Sequence, residues 1–213
     1  MNAFLLAFCA LFIIATATFA DHNRTDEHGR KQGHWHEFDE YSKSDGGMTS
    51  EGHYVDGKKH GYWLYVDSLG NAAEGKYENG ERHGKWIERS NWNGVEEGEY
   101  VNGRKHGMWT QRFADGTTGG GQYVNGRKHG YWDEVAKVSP DPLMFNFGKG
   151  HYIGGSRHGH WVIVTTLGSI MSVVEDGPYI KGKKHGQWVK QTLFAGKKGE
   201  EEMVNYRNGE EVK

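Results

Sequence analysis

The sequence predicts an all-β protein: an elongated, twisted, single-layer antiparallel sheet built from tandem β-hairpin repeats. One observation is a string, Tyr-x-x-Gly-x-[Lys/Arg]-His-Gly-x-Trp, that recurs six times. Its copies begin at Tyr54, Tyr77, Tyr100, Tyr123, Tyr152 and Tyr179 and end at Trp63, Trp86, Trp109, Trp132, Trp161 and Trp188. A second is spacing. The glycine before each x-Trp lies at Gly33, Gly61, Gly84, Gly107, Gly130, Gly159 and Gly186, a basic period of 23 residues. The third is the Asn-Gly or Asp-Gly pair inside most copies, which supplies the positive φ angles of a two-residue hairpin turn. Repetition of this kind denotes identical supersecondary units, each needing its neighbours to bury its apolar side chains.

Within one unit, Glu97-Gly98-Glu99-Tyr100-Val101 alternates and predicts a strand. Asn102-Gly103-Arg104-Lys105 predicts the turn, His106-Gly107-Met108-Trp109-Thr110-Gln111 the returning strand, and Phe113-Ala114-Asp115-Gly116 the turn into the next unit. A degenerate copy at residues 28–35 precedes the six, and Tyr206-Arg207-Asn208-Gly209 is a truncated one. The period lengthens at residues 41–50, 139–142 and 166–171, predicted as extended turns and natural places for specific recognition. Proline occurs three times and is expected never inside the repeat strands. At ~4.8 Å per strand, seven units make a sheet roughly 70 Å long. With no helix predicted to cover it, the aromatic rows are expected to pack on one another along a curved groove.

Residues 1–20 carry no charged side chain and end in Thr18-Phe19-Ala20, the pattern of a secretory signal peptide. The chain therefore divides into a signal peptide at 1–20, a flexible segment at 21–27 and the array at 28–213. The expected localisation is secreted, the alternative a membrane anchor through an uncleaved N-terminal segment. Cys9 is the only cysteine, so the mature chain would hold no disulfide, no thiol nucleophile and no cysteine–metal site. Asn23-Arg24-Thr25 is an N-glycosylation sequon, with Asn23 the acceptor. A net charge of -2 provides no field that would draw nucleic acid, and no such partner is expected.

The string Glu74-Gly75-Lys76-Tyr77-Glu78-Asn79-Gly80-Glu81-Arg82-His83-Gly84-Lys85-Trp86 resembles the MORN (membrane occupation and recognition nexus) repeat. That family's pattern is Gly-x-[Tyr/Trp]-x-x-Gly-x-[Arg/Lys]-His-Gly, and the likeness covers about residues 28–210, in a variant that ends on tryptophan. The resemblance implies a β-hairpin array acting as a scaffold for dimers, large assemblies or membrane-associated complexes. It also implies phospholipid binding.

Several residue sets invite a chemical reading. Lys58, Lys59, Arg82, Arg104, Lys105, Arg127, Lys128, Arg157, Lys183 and Lys184 form a basic stripe in the predicted turns. It is a candidate edge for an anionic phospholipid or a sulfated glycan, with solubilisation as the structural reading. His60, His83, His106, His129, His158 and His185 recur about 10 Å apart, too far to share a metal bound at ~2.1 Å. They are expected to be structural, hydrogen-bonded to a turn and packed on tryptophan. The tryptophans, tyrosines and glycines of the string are read as architecture, and Trp92, outside the register, as an exposed aromatic. Gly119-Gly120-Gly121 is expected between strands, and pairs such as Glu96-Glu97 as solvated strand ends. No nucleophile-elbow, phosphate-loop or His-Glu-x-x-His motif occurs. The function expected is that of a non-catalytic binding or scaffolding module without cofactor or metal, making a protein partner or self-association its natural contact. The alternative is an extracellular enzyme or carbohydrate-binding protein using the His/Trp-rich segment around 151–161.

Overall fold

The computed structural model describes residues 22–39, 47–91, 94–113, 116–137, 145–168 and 170–212. These form one open antiparallel sheet of 17 strands and no helix. In order, the strands are β1 Arg24–Thr25, β2 Lys31–Asp39, β3 Met48–Val55, β4 Lys58–Asp67, β5 Ala72–Glu78 and β6 Glu81–Ser90. Then come β7 Gly94–Val101, β8 Arg104–Arg112, β9 Thr118–Val124, β10 Arg127–Lys137, β11 Phe145–Ile153 and β12 Ser156–Leu167. The last are β13 Met171–Ile180, β14 Lys183–Lys184, β15 Gly186–Phe194, β16 Lys197–Arg207 and β17 Glu210–Val212.

Each unit is a hairpin closed by two residues of positive φ: Asp56-Gly57, Asn79-Gly80, Asn102-Gly103, Asn125-Gly126, Gly154-Gly155, Lys181-Gly182 and Asn208-Gly209. That pair of angles defines the type I′ turn, whose twist matches the strands it joins. The turn takes only two residues, so the basic residues after it belong to the returning strand. Neighbouring units are stitched at the tips. Gly80 N donates to Lys59 O at 2.9 Å, Gly103 N to Arg82 O at 3.0 Å and Gly126 N to Lys105 O at 2.8 Å.

Every unit also carries a bulge. Gly52 pairs with Trp63 while the next residue, His53, pairs with His60, so Gly61 and Tyr62 drop out of the inner ladder. Gly61, at φ 68°, makes the left-handed bend, and both residues pair outward with Tyr77 and Lys76. The bulge throws the indole flat across the preceding strand. A Cβ on Gly52, Gly75 or Gly98 would lie 2.3–2.4 Å from the ring of Trp63, Trp86 or Trp109. The indole N–H then reaches a main-chain carbonyl: Trp63 Nε1 donates to His53 O at 3.1 Å and Trp86 Nε1 to Lys76 O at 3.0 Å.

The outcome corrects three expectations. Pro178 lies inside β13, at the bulge position where its missing N–H is tolerated, and the returning strand is interrupted there at His185. Gly119, Gly120 and Gly121 lie within β9, where Gly121 seats Trp132. The long period at 166–171 is largely longer strands, since Thr166 and Leu167 belong to β12 and Met171 to β13. In residues 22–27, β1 pairs with β2, and Asp26 accepts from His28 N and Arg30 N. The signal peptide, Trp92 and residues 139–142 lie outside the described residues.

Candidate functional site: the two faces of the sheet

One face is an aromatic zip. Tyrosine and tryptophan alternate edge-to-face from Trp35 to Tyr206, with ring centroids 5.0 Å apart at Tyr123–Trp132 and 6.2 Å apart at Trp188–Tyr206. Trp63, Trp86 and Trp161 are fully buried without a second layer above them. A cation covers each indole instead. Lys59 Nζ lies 4.0 Å from the Trp63 centroid, Lys105 Nζ 3.8 Å from Trp109, and the guanidinium carbons of Arg82 and Arg157 4.4 and 4.5 Å from Trp86 and Trp161. Lys128 and Lys184 repeat the contact over Trp132 and Trp188. Such contacts contribute about 0.5–2 kcal/mol each, rising as water is excluded.

Carboxylates two residues after tryptophan complete this layer. Glu134 accepts from Tyr152 OH and Arg157 Nη2, both at 2.7 Å, and pairs with Lys128. Glu88 does the same with Tyr100 OH at 2.8 Å, Arg82 at 2.7 Å and Lys105 at 3.0 Å. Burial alone would raise both carboxyl pKa values. The cations and hydroxyls outweigh it and hold them below the ordinary carboxylate value.

The predicted basic stripe therefore divides in two. Lys59, Arg82, Lys105, Lys128, Arg157 and Lys184 fold onto the aromatic face as part of its packing, because successive strand residues point to opposite faces. Lys58, Arg104, Arg127 and Lys183 remain exposed along the hairpin tips. Lys58 and Arg104 each lie beside the tip glycine of the following unit, 3.6 Å from a Cβ built there.

The aromatic face opens where the period lengthens after Trp132. A groove of about 440 Å³ is lined there by Trp109, Tyr123, Trp132, Glu96, Glu134 and Asn146. Glu96, expected at a solvated strand end, lines this groove and pairs with Lys105 at 2.8 Å.

The other face is open. The residue between the bulge glycine and tryptophan recurs on it as Tyr62, Met108 and Tyr131, which are 53%, 65% and 55% exposed. The repeated histidines lie here too, which corrects the expectation that they pack on tryptophan. His60 pairs with His53, whose neighbour Gly52 seats Trp63 on the opposite side. His83, likewise exposed, has Nδ1 3.6 Å from Glu78. Near the far end His151 is the cross-strand partner of His158, and its ring lies 5.4 Å from Tyr131. His160 Nε2 sits 2.6 Å from Asp176. Trp161 is fully buried on the aromatic face, so the segment 151–161 does not bring its histidines and its tryptophan together. Among the described residues no three histidine or acidic groups converge as a ready-made metal cage.

Asn23, the sequon asparagine, sits at φ 55° against the edge of β2. Its Oδ1 accepts from His36 N at 2.9 Å and its Nδ2 donates to His36 O at 3.3 Å, as a paired strand would. The chain matches no protein-family model and no curated protein. The functional reading therefore rests on the faces themselves.

Proposed function

We propose that this chain is a secreted, non-catalytic binding or scaffolding module of MORN type, and that it meets a protein partner, or a second copy of itself, through the open face. One observation carries the reading. Charged and aromatic groups of the zip face are committed to one another, whereas Tyr62, Met108 and Tyr131 repeat at one register position on the other face with more than half their surface exposed. Large exposed side chains on a rigid, regular surface suit contact with a protein, in which aromatics and methionine are favoured. The MORN assignment rests on the spacing of the tyrosine, glycine and His-Gly positions. Secretion rests on the uncharged, small-residue-terminated leader. The reading that uses an anionic lipid or sulfated glycan retains Lys58, Arg104, Arg127 and Lys183 as its contacts. The enzyme or lectin reading retains His151, His158 and His160 on the accessible face.

The test compares two double variants of the purified chain, Met108→Glu/Tyr131→Glu on the open face and Arg104→Ala/Arg127→Ala on the tips. Light scattering coupled to size exclusion reads self-association, and binding to heparin and to phosphatidylserine vesicles reads the anionic alternative. The proposal expects association to be lost only in the open-face variant. A chain that stays monomeric at high concentration and binds heparin or vesicles through the tip arginines would overturn it.

A further inference from the structure

β9 is unlike the other long strands. Its residues, Thr118-Gly119-Gly120-Gly121-Gln122-Tyr123-Val124, carry no charged side chain, so no ion pair can tie it to β8 or β10. Elsewhere carboxylates two residues after tryptophan bridge successive hairpins. Glu37 reaches Lys59 at 3.8 Å, Glu88 reaches Lys105 at 3.0 Å and Glu134 reaches Arg157 at 2.7 Å. Each also takes the tyrosine hydroxyl of the next hairpin: Tyr54, Tyr100 and Tyr152 respectively. Between the β7–β8 and β9–β10 hairpins the equivalent residue is Gln111, which has no charge to offer Lys105 and Lys128. Those two lysines pair away from each other, Lys105 with Glu88 and Glu96 and Lys128 with Glu134.

The backbone loosens at the same strand. In the β3–β4 hairpin the ladder runs four pairs past Gly52 and Trp63, as far as Met48 and Asp67. The β11–β12 ladder runs equally far past Gly150 and Trp161. In β9–β10 it ends one pair past Gly121 and Trp132, at Gly120 and Asp133. Gly120 has φ 147°, and a Cβ there would lie 2.2 Å from Trp109 O. Glycine inside a strand weakens it and marks a bend. Seating Trp132 accounts for Gly121 alone, since Ser50 and Glu51 precede the corresponding Gly52 in β3. Six pairs hold β9 to β8, so β9 belongs with the first half of the array.

We propose that the boundary between β9 and β10 is a hinge, about which β1–β9 and β10–β17 bend as two stiff blocks. Carboxylate bridges brace the hairpins on either side of it. What spans the boundary is the tip turn, the short ladder and the Tyr123–Trp132 ring contact at 5.0 Å. Tyr123 is also the ring that packs against both aromatic clusters. Gly119 and Gly120 absorb the change in φ and ψ that such bending needs. Bending toward the aromatic face narrows the groove between Trp109 and Trp132, and bending away widens it.

Double electron–electron resonance between spin labels in frozen full-length chain tests this, with Cys9→Ser removing the native thiol. Val101, Ile153 and Val55 are exposed tip residues. Val101→Cys with Ile153→Cys spans the hinge, and Val55→Cys with Val101→Cys spans the same number of hairpins inside the first block. The expected result is a broader distance distribution for the spanning pair. Gln111→Glu supplies a carboxylate between Lys105 and Lys128, as Glu88 lies between Arg82 and Lys105. It is expected to narrow the spanning distribution to the width seen inside the block. Equal widths for the two pairs without Gln111→Glu overturn the proposal, as does a spanning distribution that Gln111→Glu leaves unchanged.

Discussion

Gly75 is where the need for a single hydrogen atom is plainest. The indole of Trp86 lies across it so closely that a Cβ would come within 2.4–2.5 Å of three ring atoms. The ring is buried and its N–H is bound to Lys76 O, so it has nowhere to retreat. Gly84, the bulge glycine of the same unit, has nothing within 4 Å of its missing Cβ, and its demand is only for φ 66°. Gly75→Ala is therefore expected to cost about 1–3 kcal/mol or more through overpacking. Gly84→Asn, which keeps a residue tolerant of the left-handed region, should cost well under half as much. Urea denaturation of the two variants checks the order, and a reversed order would remove the close-packed seat as the reason for the Gly-x-Tyr motif.

At the level of the hairpin, turn chemistry follows a rule with two exceptions. Asparagine, aspartate or glycine occupies the first turn position in six of the tips, but Lys181 sits there at φ 50°. Ala195 occupies the same position, at φ 48°, in the turn joining β15 to β16. For a residue with a Cβ, the left-handed region costs roughly 1–2 kcal/mol. Ala195→Asn and Lys181→Asn should each raise the thermal midpoint, by stabilising the fold about 0.5–1 kcal/mol. Differential scanning calorimetry reads this directly, and a lowered midpoint would mean that the alanine or lysine side chain makes a contact worth more than the strain. The same hairpins show why the basic stripe was only half legible. Reading Arg104 and Lys105 as turn residues puts both at the tip. Ending the turn at Gly103 puts them in a strand, and alternation then sends Lys105 onto Trp109.

Across the whole molecule the zip comprises two aromatic clusters. One runs from Tyr54 to Trp109, the other from Trp132 to Trp188, and Tyr123 packs against both. Beneath Tyr123 lies the groove that opens where the period lengthens. In a linear array each unit touches only its neighbours, so cooperativity must pass through every interface in turn. Tyr123→Ala is expected to split the single melting transition into two, one for each cluster. Tyr77→Ala, inside the first cluster, should lower the midpoint while leaving one transition. A single sharp transition in Tyr123→Ala would mean that the continuous backbone ladder, without the rings, transmits the coupling.

The period, the Asn-Gly pairs and the Gly-x-Trp spacing were enough by themselves to determine an antiparallel hairpin ladder with tryptophan, tyrosine and glycine as its architecture. Those features are local: a turn type and a two-residue alternation are dictated within a few bonds of the residues that cause them. Which face each basic residue joins turned on where the turn ends, because the two-residue bulge leaves the alternation of faces intact from turn to tryptophan. Alternation puts the histidines, three residues before each tryptophan, on the opposite face, and the bulge puts Pro178 where its missing donor is harmless. Half the basic residues become lids on the indoles. The row from His22 to His60 was equally hidden, since its members lie on three strands and one isolated bridge and come together only through cross-strand pairing.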